Sequence, residues 1–310
     1  MQTKPLLICV VGPTAIGKTS MAIKLAQGFN TEVISADSRQ FYKEMSIGTA
    51  VPTLEELEAI PHHFIKNKSI FEDYSVGDFE KDALELLDQK FYSNTFEENF
   101  KIMVMVGGSG LYVDTVVKGL DKFPNVPDEI RESLNSELEK FGIEHLQKQL
   151  EKVDSTYYDK VDIHNPHRVI RALEVFYASN QPYSSFLNQT PAERNFKTIY
   201  IGLTANREVV YDRINQRVDI MISEGLIEEA QKLLPYRDRN ALQTVGYREL
   251  FEYFDGKITK EAAISEIKKN TRRFAKRQNT WFKKNSEIYW FDYQTKAEEI
   301  IDFIKRKNAQ

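Results

Sequence analysis

Gly12-Pro13-Thr14-Ala15-Ile16-Gly17-Lys18-Thr19 fits the pattern G-x-x-x-x-G-K-[S/T]. A stretch of this kind wraps backbone N–H groups around a di- or triphosphate. Gly12 and Gly17 permit turns that a side chain would block, and they let the backbone approach the anion closely. Lys18 supplies a compact positive charge for the outer phosphate, and the Thr19 hydroxyl is a ligand for Mg²⁺. Both flanks suit the pattern. Leu6-Leu7-Ile8-Cys9-Val10-Val11 is a continuous apolar run, the signature of a buried parallel strand. After the loop, Met21, Ile23, Leu25 and Ala26 sit among polar residues and predict a helix whose N-terminal dipole adds to the phosphate site.

Composition narrows the function classes. The chain has 310 residues, enough to bury a full core as one large domain or as one domain with an insertion. A formal charge of −4 gives no global signature of nucleic-acid binding, so any basic surface must be local. The single cysteine, Cys9, lies inside the first strand and excludes a disulfide framework or a cysteine zinc site. With no signal-peptide pattern and no apolar run of membrane-spanning length, a soluble, cytoplasmic protein without membrane contact is expected.

Further along, Thr31-Glu32-Val33-Ile34-Ser35 reads as a second strand ending at Asp37-Ser38-Arg39-Gln40. A polar cluster after a strand points into the crevice at the carboxyl edge of the sheet, where the phosphate loop also sits. Asp37 is therefore the first carboxylate expected to face a bound diphosphate, the alternative being a cap on a following helix. Gly48-Thr49-Ala50 and Pro61-His62-His63-Phe64 read as loops, and the two histidines lack a third ligand at metal-binding spacing. A helical period runs from Val76 to Tyr92, and a strand from Lys101 to Val106 ends in Gly107-Gly108-Ser109-Gly110.

From Phe123 the pattern turns helical and charged, and no strand-like run appears until Thr198. Residues 123–196 are expected to form a helical insertion domain, with 1–122 and 197–310 as the core. Within the insertion, Pro166 is placed to start a helix that carries Arg168 and Arg171 on one face. Asn206 to Leu234 is expected to be helical, with Arg213 and Arg217 four apart and so sharing a face. Lys268/Lys269, Arg272/Arg273 and Lys276/Arg277 recur every four residues, a basic stripe suited to a phosphate backbone or simply to solvent. Ile264, Ile267, Phe274 and Trp281 are expected to anchor the opposite face.

Taken together, the chain resembles the tRNA dimethylallyltransferase (tRNA isopentenyltransferase) family, in its bacterial form without a zinc finger. The resemblance is carried in order by Gly12–Thr19, Asp37-Ser38-Arg39-Gln40, Gly48-Thr49-Ala50, Pro61-His62-His63, Gly107-Gly108-Ser109, Asn165-Pro166-His167-Arg168 with Arg171, Val245-Gly246-Tyr247-Arg248, and Lys276-Arg277-Gln278 with Thr280-Trp281. Ser109 stands where Thr is commoner, and His167 where Gln is commoner. The resemblance implies an α/β fold, a P-loop NTPase-like core with a mostly parallel sheet plus a helical insertion domain. It implies transfer of a dimethylallyl group from dimethylallyl diphosphate to N6 of the adenine 3′ of the tRNA anticodon. Asp37, Lys18 and Thr19 then have catalytic counterparts, with Mg²⁺ on Thr19. The loop residues Gly12 to Thr19, namely Gly12, Pro13, Thr14, Ala15, Ile16, Gly17, Lys18 and Thr19, bind the diphosphate together with Arg217. Ser109 and Arg131 resemble tRNA-contacting positions. So do Asp37, Ser38, Arg39 and Gln40, then His167, Arg168, Val169, Ile170 and Arg171, and Gln243, Thr244, Val245, Gly246, Tyr247 and Arg248. The last such segment is Lys276, Arg277, Gln278, Asn279, Thr280, Trp281, Phe282 and Lys283. The expected partner is the tRNA anticodon stem-loop, and a monomer is expected.

Elementary chemistry supports the same reading. Breaking an allylic C–O bond builds charge on the diphosphate oxygens, which Lys18, backbone N–H groups, Mg²⁺ and Arg217 can absorb. The adenine amine sheds a proton as the new C–N bond forms, which a carboxylate such as Asp37 can take. The base must leave its stack to react, and RNA loops allow that. Three alternatives remain at this level: a small-molecule kinase using the loop for ATP, an adenylate isopentenyltransferase acting on free AMP, and a non-enzymatic RNA-binding module. The insertion and the basic stripe favour a macromolecular acceptor, and the phosphate loop with Asp37 favours an enzyme.

Overall fold

The computed structural model describes residues 4–92, 101–187 and 192–309. The parts of the expected domains at 1–3, 93–100, 188–191 and 310 lie outside the described residues. The chain divides into two compact units, Met1–Lys118 with Arg194–Gln310, and Gly119–Glu193.

The first unit is built on β1 (Leu6–Val11), which leads through the phosphate loop into α1 (Lys18–Gly28). There follow β2 (Val33–Ser35), α2 (Leu54–Ala59), β3 (His62–His63), α3 (Val76–Tyr92), β4 (Ile102–Gly107) and α4 (Gly110–Lys118). The second unit carries α5 (Asp128–Phe141), α6 (Ile143–Val153), the short α7 (Ser155–Tyr158) and α8 (Pro166–Ser179). The first unit resumes with β5 (Lys197–Thr204), α9 (Arg207–Ser223), α10 (Leu226–Leu233), α11 (Tyr247–Phe254), α12 (Lys260–Phe282), β6 (Ile288–Asp292) and α13 (Ala297–Asn308).

The six strands run parallel in the order β3-β2-β4-β1-β5-β6. β1 is central, and its apolar run is explained by burial on both faces. Leu6, Ile8 and Val10 pack with Leu25, Ile214, Ile300 and Ile304 on one side. Leu7, Cys9 and Val11 pack with Phe79, Leu87, Val113 and Val116 on the other. Burial pushes the Cys9 thiol far above its ordinary value, so it packs as a small apolar group. A third apolar cluster joins α9, α10, α11 and α12 through Val218, Leu226, Leu250 and Ile267. The second unit has its own core of Leu134, Leu146, Leu150, Val169 and Leu173. Among the described residues no helix is long and apolar enough to cross a membrane.

Three expectations from the sequence change here. His62 and His63 form an edge strand beside β2 rather than a loop, tied down by His63 Nε2 against Glu32 Oε2 at 2.6 Å and His62 Nδ1 against the Ile60 carbonyl at 2.8 Å. The helical stretch expected from Asn206 to Leu234 is two helices, because Gly225 takes a left-handed φ of 104° between them. Phe274 and Trp281 are 38% and 42% exposed, while Ala263, Ile267, Ala275, Gln278 and Phe282 form the buried face of α12; Trp281 holds the helix to α4 instead by donating from Nε1 to Asp114 Oδ2 at 2.8 Å.

Candidate active site

The phosphate loop is held by its neighbours in a shape that leaves its amides open. Gly12 has φ 142°, and a Cβ there would meet the Leu203 carbonyl oxygen at 2.6 Å. Ala15 at φ 62° and Gly17 at φ 104° add two left-handed turns, and such alternation turns successive N–H groups toward one point. Among the described residues the amides of 15–19 donate to no other group, and α1 starts at Gly17 without a side-chain cap. The loop is therefore an anion cradle at a helix N-terminus. Arg213 Nε donates to the Ala15 carbonyl at 2.7 Å and braces the loop from α9. Lys18 Nζ donates to the Pro13 carbonyl at 2.8 Å. Burial depresses Lys18 to a pKa of about 8, the Asp37 carboxylate opposes that shift, and Arg217 adds to it. Burial likewise lowers Arg217, against the pull of Asp37. Lys18, Arg217 and Asp37 thus act on one another, and Arg217 also feels the Glu56 carboxylate and the Arg213 guanidinium.

Beside the loop opens a cavity of about 550 Å³ at the carboxyl edge of the sheet. Thr14, Asp37, Gly108, Ser109 and Arg217 are among its polar lining residues. Ile214, Val218 and Met221, at helical spacing on α9, make an apolar wall with Leu226, Ile267 and Phe274. Arg39, Gln243, Arg248, Arg277 and Trp281 also line it. Asp37 does not cap a helix. Its Oδ1 accepts the Arg39 N–H at 3.1 Å, a local turn, and residues 38–41 form that turn. The Ser38 N–H donates to Ser109 Oγ at 3.3 Å, and the two hydroxyls lie 3.2 Å apart. The glycines after β4 are explained by protein contacts: a Cβ at Gly107 would meet the Ala36 carbonyl oxygen at 2.6 Å, and one at Gly110 the Trp281 ring at 2.3 Å.

The remaining sequence candidates separate into exposed and buried groups. Gln243, Arg248, Lys276, Arg277, Thr280, Trp281 and Lys283 are exposed, Thr244, Val245 and Asn279 half-buried. In contrast, Tyr247 is fully buried, donating its hydroxyl to Glu229 Oε1 at 2.6 Å, and Phe282 is 3% exposed. Gln40 is buried, donating to the Thr49 and Ala50 carbonyls at 3.2 and 2.9 Å, and Gly246 is buried at the start of α11. Gln278 is buried between the phosphate loop and β4, with its side-chain oxygen 2.8 Å from the Thr14 N–H and its amide 2.9 Å from the Gly108 carbonyl. The side chains of Tyr247, Phe282 and Gln40 therefore face protein, not a macromolecular partner, while Gln278 bonds to protein at the edge of the cavity. In the second unit His167 and Arg168 are exposed, whereas Val169 and Ile170 belong to the core. Arg131 and Arg171 converge on the buried Glu174, Arg131 Nε at 2.7 Å and Arg171 at 2.5 Å, and Arg171 also lies over the Phe123 ring.

Sequence reasoning missed Arg213's brace and the Glu229 carboxylate. Glu229 accepts the N–H groups of Ser46, Ile47 and Gly48 at 2.9–3.0 Å and so fixes the turn that brings Gly48 and Thr49 to the cavity. An acidic residue in an amphipathic helix gives no local sign of such a task.

A metal ion here would depend on the substrate for its ligands. Among the described residues no group of three or more His, Cys, Asp or Glu side chains could hold one. The Thr19 hydroxyl, unpartnered among the described residues, and Asp37 are hard oxygen donors beside an anion cradle. That set suits a cation such as Mg²⁺, which keeps phosphate and water ligands.

A family model described as IPP transferase matches residues 40–285. The tRNA dimethylallyltransferase of Christiangramia forsetii is 59% identical over 301 residues, covering 97% of this chain and 98% of that protein. Among solved structures, the full-length tRNA isopentenylpyrophosphate transferase of Bacillus halodurans is 39% identical, with a TM-score of 0.71 over 99% of this chain and 97% of that one. A eukaryotic dimethylallyltransferase, solved acting on tRNA, is 26% identical with a TM-score of 0.81 over 97% of this chain and 80% of that one. An anion cradle beside a cavity with an apolar wall, on a P-loop NTPase-like sheet with such relatives, leaves one conclusion: the chain belongs to the IPP transferase family, the tRNA dimethylallyltransferases.

Proposed function

We propose that the chain transfers a dimethylallyl group from dimethylallyl diphosphate to N6 of the adenine 3′ of the anticodon in tRNA, releasing diphosphate. The observation that carries the reading is the anion cradle beside a cavity with an apolar wall. An amphipathic donor needs both, and the phosphate loop, whose Thr14 lines the cavity, and the Ile214–Val218–Met221 face supply them.

The diphosphate takes the open amides of 15–19, with Lys18 and Arg217 as counter-cations. As the allylic C–O bond breaks, its electron pair goes to the bridging oxygen, and these groups stabilise the charge that develops there. When bound through Thr19, Mg²⁺ adds further charge stabilisation on the diphosphate. The adenine amine attacks the freed allylic carbon, the C–N bond forms, and Asp37 takes the N–H proton. The exposed cations and Trp281 along the cavity's lining favour an RNA loop whose base has been turned out of its stack. Arg131, His167, Arg168 and Arg171 of the second unit serve as tRNA contacts in this reading.

The test offers labelled dimethylallyl diphosphate with tRNA, with AMP, or with neither, and labelled ATP in parallel. Label in tRNA alone is the expected result. Label in AMP, or phosphate transfer from ATP, would replace the reading with one of its enzyme alternatives.

A further inference from the structure

Gln278 lies on the helix that carries Phe274, Arg277 and Trp281 to the cavity and lines it too, yet it is only 5% exposed and its amide is turned to protein partners. Both ends of its amide are engaged: Oε1 accepts the Thr14 N–H at 2.8 Å, and Nε2 donates to the Gly108 carbonyl at 2.9 Å. The two partners belong to the turns after β1 and after β4, so one side chain ties the phosphate loop, the β4 turn and α12 together. The fit is tight, because a Cβ at Gly108 would come within 2.2 Å of Nε2. That same Cβ position lies 3.6 Å from Lys18 Nζ, so the tie is made beside the cation of the phosphate site. Thr14 also lines the cavity, and its N–H is the loop amide committed to protein while those of 15–19 stay open.

We propose that Gln278 is a positioning residue for the transfer reaction, fixing the phosphate loop relative to the β4 turn and so setting donor affinity and transfer rate, not tRNA affinity. A glutamine is needed because the site pairs one donor with one acceptor: a carboxylate would place an oxygen against the Gly108 carbonyl, and an apolar side chain would leave the Thr14 N–H and the buried Gly108 carbonyl without these partners. The inference rests on the loop being the diphosphate site of the donor.

The experiment compares wild type, Gln278→Glu and Gln278→Met in single-turnover transfer, in equilibrium binding of dimethylallyl diphosphate, and in equilibrium binding of tRNA. Gln278→Glu keeps the shape and one of the two bonds, so it serves if Gln278→Met does not fold; melting curves check both. The expected result is a 10- to 100-fold loss in donor affinity and single-turnover rate, about the effect of one buried hydrogen-bonding group left unmatched, with tRNA affinity within threefold of wild type. Arg277→Ala, one residue away, should show the opposite split, weaker tRNA binding with donor affinity retained. Wild-type donor affinity and rate in Gln278→Glu would overturn the inference, as would a loss confined to tRNA affinity. If wild type itself bound no dimethylallyl diphosphate, the donor reading would fall and this inference with it.

Discussion

Lys18 shows how one residue's surroundings set a measurable dependence. Burial, reinforced by Arg217 and opposed by Asp37, holds its free pKa at about 8 against an ordinary 10.5. A bound diphosphate restores the preference for the charged form, so the pKa rises on binding. Donor affinity is then fully present below pH 8 and falls by about tenfold per unit as the free protein loses that proton. In the unliganded protein the sign is reversed: the unfolded chain holds the proton more tightly, so this group adds stability as pH rises from about 8 to 10.5. Calorimetric titration of donor between neutral and alkaline pH should show the bend near 8, and Lys18→Met should remove it; a bend that persists in the variant assigns it elsewhere. Asp37 makes a second prediction. Asparagine can accept the Arg39 N–H in the same turn, so Asp37→Asn should keep the fold, with a small drop in melting temperature from the lost counter-charge beside Lys18 and Arg217. Loss of the proton acceptor should lower single-turnover transfer by roughly 10²–10⁴-fold with both substrates still bound. A rate within a few-fold of wild type would remove Asp37 from the chemistry.

At the scale of elements, α12 separates what a periodic pattern can say from what it cannot. The four-residue recurrence of basic side chains is real, but Lys268 pairs with Asp219 at 2.6 Å, Lys269 with Glu266 at 2.8 Å, and Arg272 donates to Asn215 at 2.7 Å. Within the stripe, Arg273, Lys276 and Arg277, at the end near the cavity, are the exposed residues. Reversing Lys276 and Arg277 should therefore weaken tRNA binding and flatten its salt dependence by about 0.7–0.9 log–log units per lost phosphate contact. Reversing Lys268 and Lys269 should leave that slope near wild type, and equal effects from both pairs would restore the whole stripe as the contact. The strand–loop–helix around Gly12–Thr19 and the helix Val76–Tyr92 were legible because hydrophobic period, glycine placement and length all agree locally. The helix breaks at Gly142 and Gly225 were not, since a left-handed glycine inside a polar stretch leaves the period almost intact. The edge strand at His62–His63 is too short to show alternation. In the site, the loop and Asp37 could be read from position alone. Gln278 could not, because its two partners lie 264 and 170 residues away and only the folded sheet brings them together.

For the whole molecule, the division into two units makes a prediction about where each substrate's affinity resides. Gly119–Glu193 has its own core, and every residue that lines the cavity belongs to the other unit. The chain leaves that other unit after Lys118 and returns at Arg194, whose guanidinium donates to the Thr115 carbonyl at 2.8 Å and pairs with Glu80 at 2.5 Å. The exit and return points are thus close enough for a short linker. Replacing 119–193 by a few Gly and Ser residues should leave a folded protein that binds dimethylallyl diphosphate within a few-fold of the full chain, since the anion cradle, Arg217 and the apolar wall are all retained. Transfer to tRNA should fall by at least 10²-fold through lost tRNA affinity, because Arg131, His167, Arg168 and Arg171 are removed together and each phosphate contact adds to the electrostatic term. Donor calorimetry, tRNA filter binding and a melting curve on the shortened protein measure the three quantities separately. Retained tRNA affinity would move the RNA contacts to the first unit, and lost donor binding in a folded protein would show that the cavity depends on the second.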